Sequence, residues 1–152
     1  MRLIDRPPFS HRDDRDVPDL PDRPIAVMDG DCALCTFGAR WIARLDRSGE
    51  IAIAPASGRI GGALLSHYGL DPADPDSWLF VDQGRALGGL EAVVALGRRV
   101  GGPGRLLAPL GWLPEGLRDA SYRRIARNRI RLFGRADMCA LPDPSLRARL
   151  LP

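Results

Sequence analysis

Apolar residues fall in short unbroken runs that alternate with stretches where they recur at helical spacing. The first run, I-A-V-M over 25–28, stops at Asp29-Gly30-Asp31 and reads as a buried strand. From residue 32 the spacing becomes helical. Leu34, Phe37, Trp41 and Leu45 make one apolar stripe, with Arg40, Arg44 and Arg47 opposite. Asp31 is placed to cap this helix, and Ser48 and Gly49 to end it. The run over 50–54 predicts a second strand. A helix over 63–68 follows, closed by Gly69, and His67 on it reads as a surface or capping residue. After the loop D-P-A-D-P-D, residues 77–82 (S-W-L-F-V-D) predict a third strand. Gln83-Gly84 is a hairpin turn, and 85–87 a return strand. A helix over 90–100 turns Val93, Val94, Leu96 and Gly97 inward. The stretch 106–113 reads as plain packing within a mixed connection. A long helix over 115–133 carries Leu117, Tyr122, Ile125, Leu132 and Phe133 on its apolar face, and a short helix lies in the tail.

The order is β-α-β-α-β-β-α-α. Strand and helix alternate, and the hairpin adds antiparallel edge strands. This predicts a three-layer α/β fold in thioredoxin or glutaredoxin order, ending in a long basic helix. Residues 25–152 form one domain. Residues 1–24 precede it, and sixteen of them are Arg, Asp or Pro. That composition predicts a disordered or loosely docked arm with His11 as a solvated loop residue. No stretch has the length of a signal peptide or spanning helix, so the expected location is cytoplasmic, where thiols stay reduced.

Composition removes several chemistries. All 22 basic residues are arginine. Without lysine there is neither a Schiff-base enzyme nor a lysine phosphate loop. A net charge of +3 does not argue for nucleic acid. The three cysteines are too few for a disulfide scaffold.

The sharpest local signal is A-V-M-D-G-D-C-A-L-C over 26–35. Two cysteines three apart, at the first turn of a helix after a strand, suit redox chemistry. Their sulfurs lie within reach across one turn. The first faces the positive end of the helix dipole, which favours a thiolate, and the second lies one turn deeper. This reading makes Cys32 the exposed nucleophile and Cys35 the resolving thiol. Asp29 can relay a proton to Cys35, or Asp29 and Asp31 merely satisfy turn and cap donors. Other readings use the same residues. Half a zinc site would need two further ligands from Cys139, His67 and the aspartates. The cysteines can be inert and buried. A strand ending in Asp-x-Asp also opens haloacid-dehalogenase-type phosphatases, although lysine is absent and the chain is short.

D-G-D-C-A-L-C, with Asp29, Cys32 and Cys35, resembles the DCC family of thiol–disulfide oxidoreductase-like proteins. S-W-L-F-V-D-Q-G over 77–84 and G-G-L-E-A-V-V-A-L over 88–96 are similar to that family's third-strand hairpin and following helix. The stretch 117–135, then Cys139, resembles its C-terminal signature, matched at Tyr122, Asn128, Arg129, Phe133, Gly134 and Cys139. The resemblance spans about residues 25–142. It implies a thioredoxin-like fold and disulfide exchange through Cys32 and Cys35. No metal or cofactor is needed, because the thiols carry the electrons. The implied partners are a protein or small-thiol disulfide and an electron donor; neither membrane nor nucleic acid is among them. Two features depart from thioredoxin and glutaredoxin habit. Ala33 follows the first cysteine where proline is common, and Ser77-Trp78 stands where a thioredoxin has a cis-proline facing its site. Ser77, Trp78, Tyr122, Asn128, Arg129 and Asp31 are the candidate substrate or thiolate contacts. On the basic helix Arg123, Arg127 and Arg131 form a solvated stripe, while Arg129 can turn inward toward Asp29 or Cys32. Cys139 reads as a buried structural cysteine, or else a third thiol. The alternative function is a non-catalytic binding module, either zinc-stabilised or holding an anionic partner on the arginine helix.

Overall fold

The strands of the computed structural model, which describes residues 7–73, 78–140 and 143–152, form one sheet in the order β2-β1-β3-β4. These are β1 (Ile25–Met28), β2 (Ala52–Pro55), β3 (Leu79–Asp82) and β4 (Arg85–Leu87). β1 pairs with β2 in parallel and with β3 antiparallel, and β3 pairs antiparallel with β4. The parallel pair needs a crossover, which α1 (Ala33–Leu45) supplies. Successive side chains of β1 point to opposite faces. Ile25 and Val27 pack with Ile60, Leu64 and Leu65 of α2 (Arg59–His67). Ala26 and Met28 pack with Ala39 and Ile42 of α1 and Ala92 of α3 (Gly89–Val100). Helices cover both faces, which is why the first strand is apolar without alternation. The mixed α/β architecture is consistent with the expected thioredoxin-like fold.

Two elements start away from their predicted positions. The second strand is shifted to Ala52–Pro55. α2 begins at Arg59, because Gly61 and Gly62 lie inside it rather than in a turn. A Cβ on Gly61 would stand 2.1 Å from the Pro55 carbonyl oxygen, so the glycine serves close helix–strand approach. The expected beginning of the third strand, including Ser77 and the nearby Pro75, lies outside the described residues. Beyond α3, a 3₁₀ segment (Gly102–Trp112) lies against that helix. A Cβ on Gly97 would meet the Gly104 carbonyl oxygen at 2.5 Å, so only glycine lets these two backbones touch. α4 (Glu115–Phe133) has its predicted bounds, and α5 (Pro144–Arg147) is the short tail helix.

The described part of the arm does not leave its histidine in solvent. His11 is buried, with Nδ1 3.0 Å from the Tyr68 hydroxyl. His67, expected at the surface, is also buried. Its Nδ1 lies 2.6 Å from Asp14 Oδ2 and its Nε2 3.0 Å from Ser10 Oγ. Val17 joins the α2 core, and the Phe9 N–H donates to the Gly84 carbonyl at 2.9 Å. These contacts are polar side chains satisfied one by one, which carry no periodicity to read. Burial, reinforced by His67 and Arg12, lowers the His11 pKa and keeps the ring neutral.

The tail closes the other edge of the sheet. The Ile53 N–H donates to the Arg149 carbonyl, and the Leu151 N–H to the Ile53 carbonyl, both at 2.8 Å. The free side of β2 is thereby paired and protected from another chain.

Candidate active site

The turn between β1 and α1 is built on Asp29. Its Oδ1 accepts the Asp31 N–H at 2.9 Å. This Asx turn moves the helix cap one residue along, so Cys32, not Asp31, holds the N-cap position. Asp31 is exposed and makes no cap. Asp29 Oδ2 accepts a hydrogen bond from Arg129 Nη2, and Arg129 Nη1 donates to the Ala126 carbonyl at 2.9 Å. Burial opposes the charge on Arg129. The Asp29 hydrogen bond and the charges of Cys35, Asp29 and Cys32 together outweigh it, and the pKa rises.

A segment that local spacing does not anticipate covers the first cysteine. After α4 the chain runs back along the turn over residues 134–138. The Ala33 N–H donates to the Gly134 carbonyl at 3.2 Å, the Ala136 N–H to Asp31 at 3.1 Å, and the Met138 N–H to Gly30 at 2.8 Å. Cys32 bridges Arg135 in antiparallel fashion. Cys32 is therefore 0% exposed, while Cys35 is half-buried. This reverses the predicted order of access. The strap comes from about a hundred residues downstream, so the cysteine spacing carries no trace of it.

Cys35 lies one turn into α1, close to Cys32. Burial, then the charge and hydrogen bond of Cys32, push its thiol up to about 12, against the opposing pull of Arg129. Alkylation of Cys35 is therefore expected to speed up about tenfold per pH unit from neutrality to pH 10, without a plateau. A plateau below pH 9, read by mass-resolved labelling, would contradict this.

Cys35 opens on a cavity of about 600 Å³. α1, α3, the 3₁₀ segment and α4 form its walls, and Asp29, Cys35 and Arg129 belong to its lining. Of the three predicted helix stripes, that of α1 lies wholly on this cavity. Leu34, Phe37, Trp41 and Leu45 line it, whereas α1 buries Thr36, Ala39 and Ile42. α3 gives Val93 and Leu96 to the wall and buries Val94 and Gly97 as expected. α4 buries Ala126 and Arg129, leaving Leu117, Ile125, Leu132 and Phe133 exposed. The stretch read as packing holds Leu106 and Trp112, which are 80% and 83% exposed.

The other candidates divide. Trp78 and Tyr122 line the cavity, and Trp78 Nε1 donates to the Gly89 carbonyl at 3.2 Å. Asn128 does not line it; its Nδ2 donates to the Arg124 carbonyl at 2.8 Å within its own helix. Cys139 is exposed rather than buried, because an Asp137 turn carries it outward, with its N–H 2.9 Å from Asp137 Oδ1. Arg123, Arg127 and Arg131 are exposed. Among the described residues no group of three or more His, Cys, Asp or Glu is placed to hold a metal ion. None of their helices is long and apolar enough to cross a membrane.

A Cys-x-x-Cys pair at the strand-to-helix turn of a mixed sheet is the site of the thioredoxin-like class. A profile of the DCC1-like thiol-disulfide oxidoreductase family matches residues 26–135, and the chain belongs to that family. It is 33% identical over 133 residues to the uncharacterized protein YuxK of Bacillus subtilis, covering 88% of this chain and 96% of YuxK. It is 34% identical over 120 residues to the DCC family protein At1g52590, chloroplastic, of Arabidopsis thaliana, covering 78% of this chain and 70% of that protein. No solved structure matches.

Proposed function

We propose that the protein exchanges disulfides through Cys32 and Cys35. The observation that carries this reading is a pair of cysteines one turn apart at the N-terminus of α1, one of them open to a cavity. Access orders the steps. Cys35 meets the substrate disulfide R–S–S–R′, forms Cys35–S–S–R and releases R′–SH. Cys32 then attacks the Cys35 sulfur, releases R–SH and closes the Cys32/Cys35 disulfide. The substrate gains two electrons and the protein loses two. Asp29 takes up the proton leaving Cys35 and passes it to the departing R′ sulfur, and Arg129 steadies the thiolate. A dithiol donor restores the pair, with no cofactor, and a reducing cytoplasm suits that supply. The substrate is a protein or small-molecule disulfide.

Mass-resolved alkylation with and without reductant tests this. Alkylated in urea, the oxidised protein is expected to label at Cys139 alone and to gain labels on both Cys32 and Cys35 after reduction. Cysteines 32 and 35 that stay unpaired under every oxidant, in a protein without exchange activity, sink the proposal.

A further inference from the structure

The cavity on which Cys35 opens has walls of aliphatic and aromatic side chains. Its volume of about 600 Å³ falls within the range of small-molecule sites, roughly 300–1,000 Å³. Among the described residues, Asp29 and Arg129 are the only charged ones on the lining, and they are paired with each other. A zwitterionic or anionic disulfide such as oxidised glutathione thus finds no uncompensated counter-charge there, and would lose hydration on entry. An apolar disulfide loses nothing comparable and buries its groups. The apolar character continues to the rim, where Phe37 and Trp41 stack edge to face, 59% and 41% exposed, beside Leu106.

We infer that the cavity binds a small apolar organic disulfide and presents its S–S bond to Cys35. This rests on the dithiol reading above and names its substrate class. The chemistry is balanced as written there: the apolar disulfide leaves as two thiols, and the Cys32/Cys35 disulfide is reduced again by a dithiol, dithiothreitol in the test.

Two measurements on the full chain test it separately. In the Cys32→Ser/Cys35→Ser protein, dibenzyl disulfide is titrated while the fluorescence of Trp41 and Trp78, both on the lining, is followed. In the unmodified protein, exchange with dibenzyl disulfide and with oxidised glutathione is compared, each rate divided by that with dithiothreitol alone. The expected results are saturable quenching and a preference of about 100-fold for the apolar disulfide. Leu106→Glu, at a solvated rim position that costs the fold little, is expected to cut the preference about tenfold. Val93→Trp, which fills the cavity, is expected to abolish quenching. Equal normalised rates, or absent quenching with exchange intact, overturn the inference alone. Quenching with no exchange on either disulfide overturns the dithiol reading and the inference with it. A dimer in sedimentation at the same concentrations that suppresses quenching also overturns it, by giving the apolar rim to a second copy.

Discussion

Cys32→Ser protein is expected to stop at a mixed disulfide on Cys35, and Cys35→Ser protein to form none on Cys32. Both lose exchange turnover by about 1,000-fold or more, because the two thiols act as a unit. They lose it at different steps. Without Cys32 the first attack still occurs, since Cys35 faces the cavity, but nothing resolves the adduct. Without Cys35 the remaining sulfur is fully buried beneath residues 134–138 and meets no substrate. The spacing alone predicts the opposite pattern, with the adduct trapped on Cys32. Mass spectrometry after incubation with a disulfide decides between them, and unfolding in urea should expose Cys32 to label. An adduct on Cys32 in the native protein would mean that the strap opens in solution and that the thiols exchange roles.

The second large effect concerns stability. Arg149→Met is expected to cost about 3–5 kcal/mol in urea unfolding. Arg149 Nη1 lies 2.6 Å from Asp46 Oδ2, its Nη2 donates to the Asp46 carbonyl at 2.7 Å, and both residues are buried. Asp46 also accepts from the Ser48 hydroxyl at 2.6 Å and the Ile51 N–H at 2.9 Å. Removing the guanidinium leaves a buried carboxylate with one charge uncompensated, and that drives the cost. Burial works to raise the Asp46 pKa, but hydrogen bonds from Ser48, Ile51 and Arg149 together lower it. A carboxyl depressed in the folded state contributes stability above its unfolded value, near 3.8, and loses it as pH falls through the folded one. Arg149→Met should therefore flatten the acid limb of the stability curve. A loss under about 1 kcal/mol would mean that the pair is solvated.

Legibility followed the range of the physical signal. The long helix over Glu115–Phe133 and the return strand Arg85–Leu87 were readable from periodicity and turn residues. Both are set by neighbours a few positions apart. The Asp46/Arg149 pair spans 103 residues and leaves no local mark. Asp29 and Arg129 stand 100 apart, and only the two separated motifs together pointed to them. The docking of His11 and His67 depends on single polar partners, which have no period.

The sequence by itself determined the element order, the place of the cysteine pair at a helix start, and the family to which the chain belongs. The first two follow from backbone propensity, side-chain period and short spacing, all of which are local; the family follows from the resemblance of separated motifs to its members. It also marked apolar stripes on three helices without saying what covers them. Only the tertiary structure decided which of those stripes meet a cavity, a core or solvent, and that a returning segment closes over Cys32. Periodicity reports that a face is apolar. Whether protein or open space meets that face depends on how distant segments pack, and the order of access to the two thiols depends on the same packing.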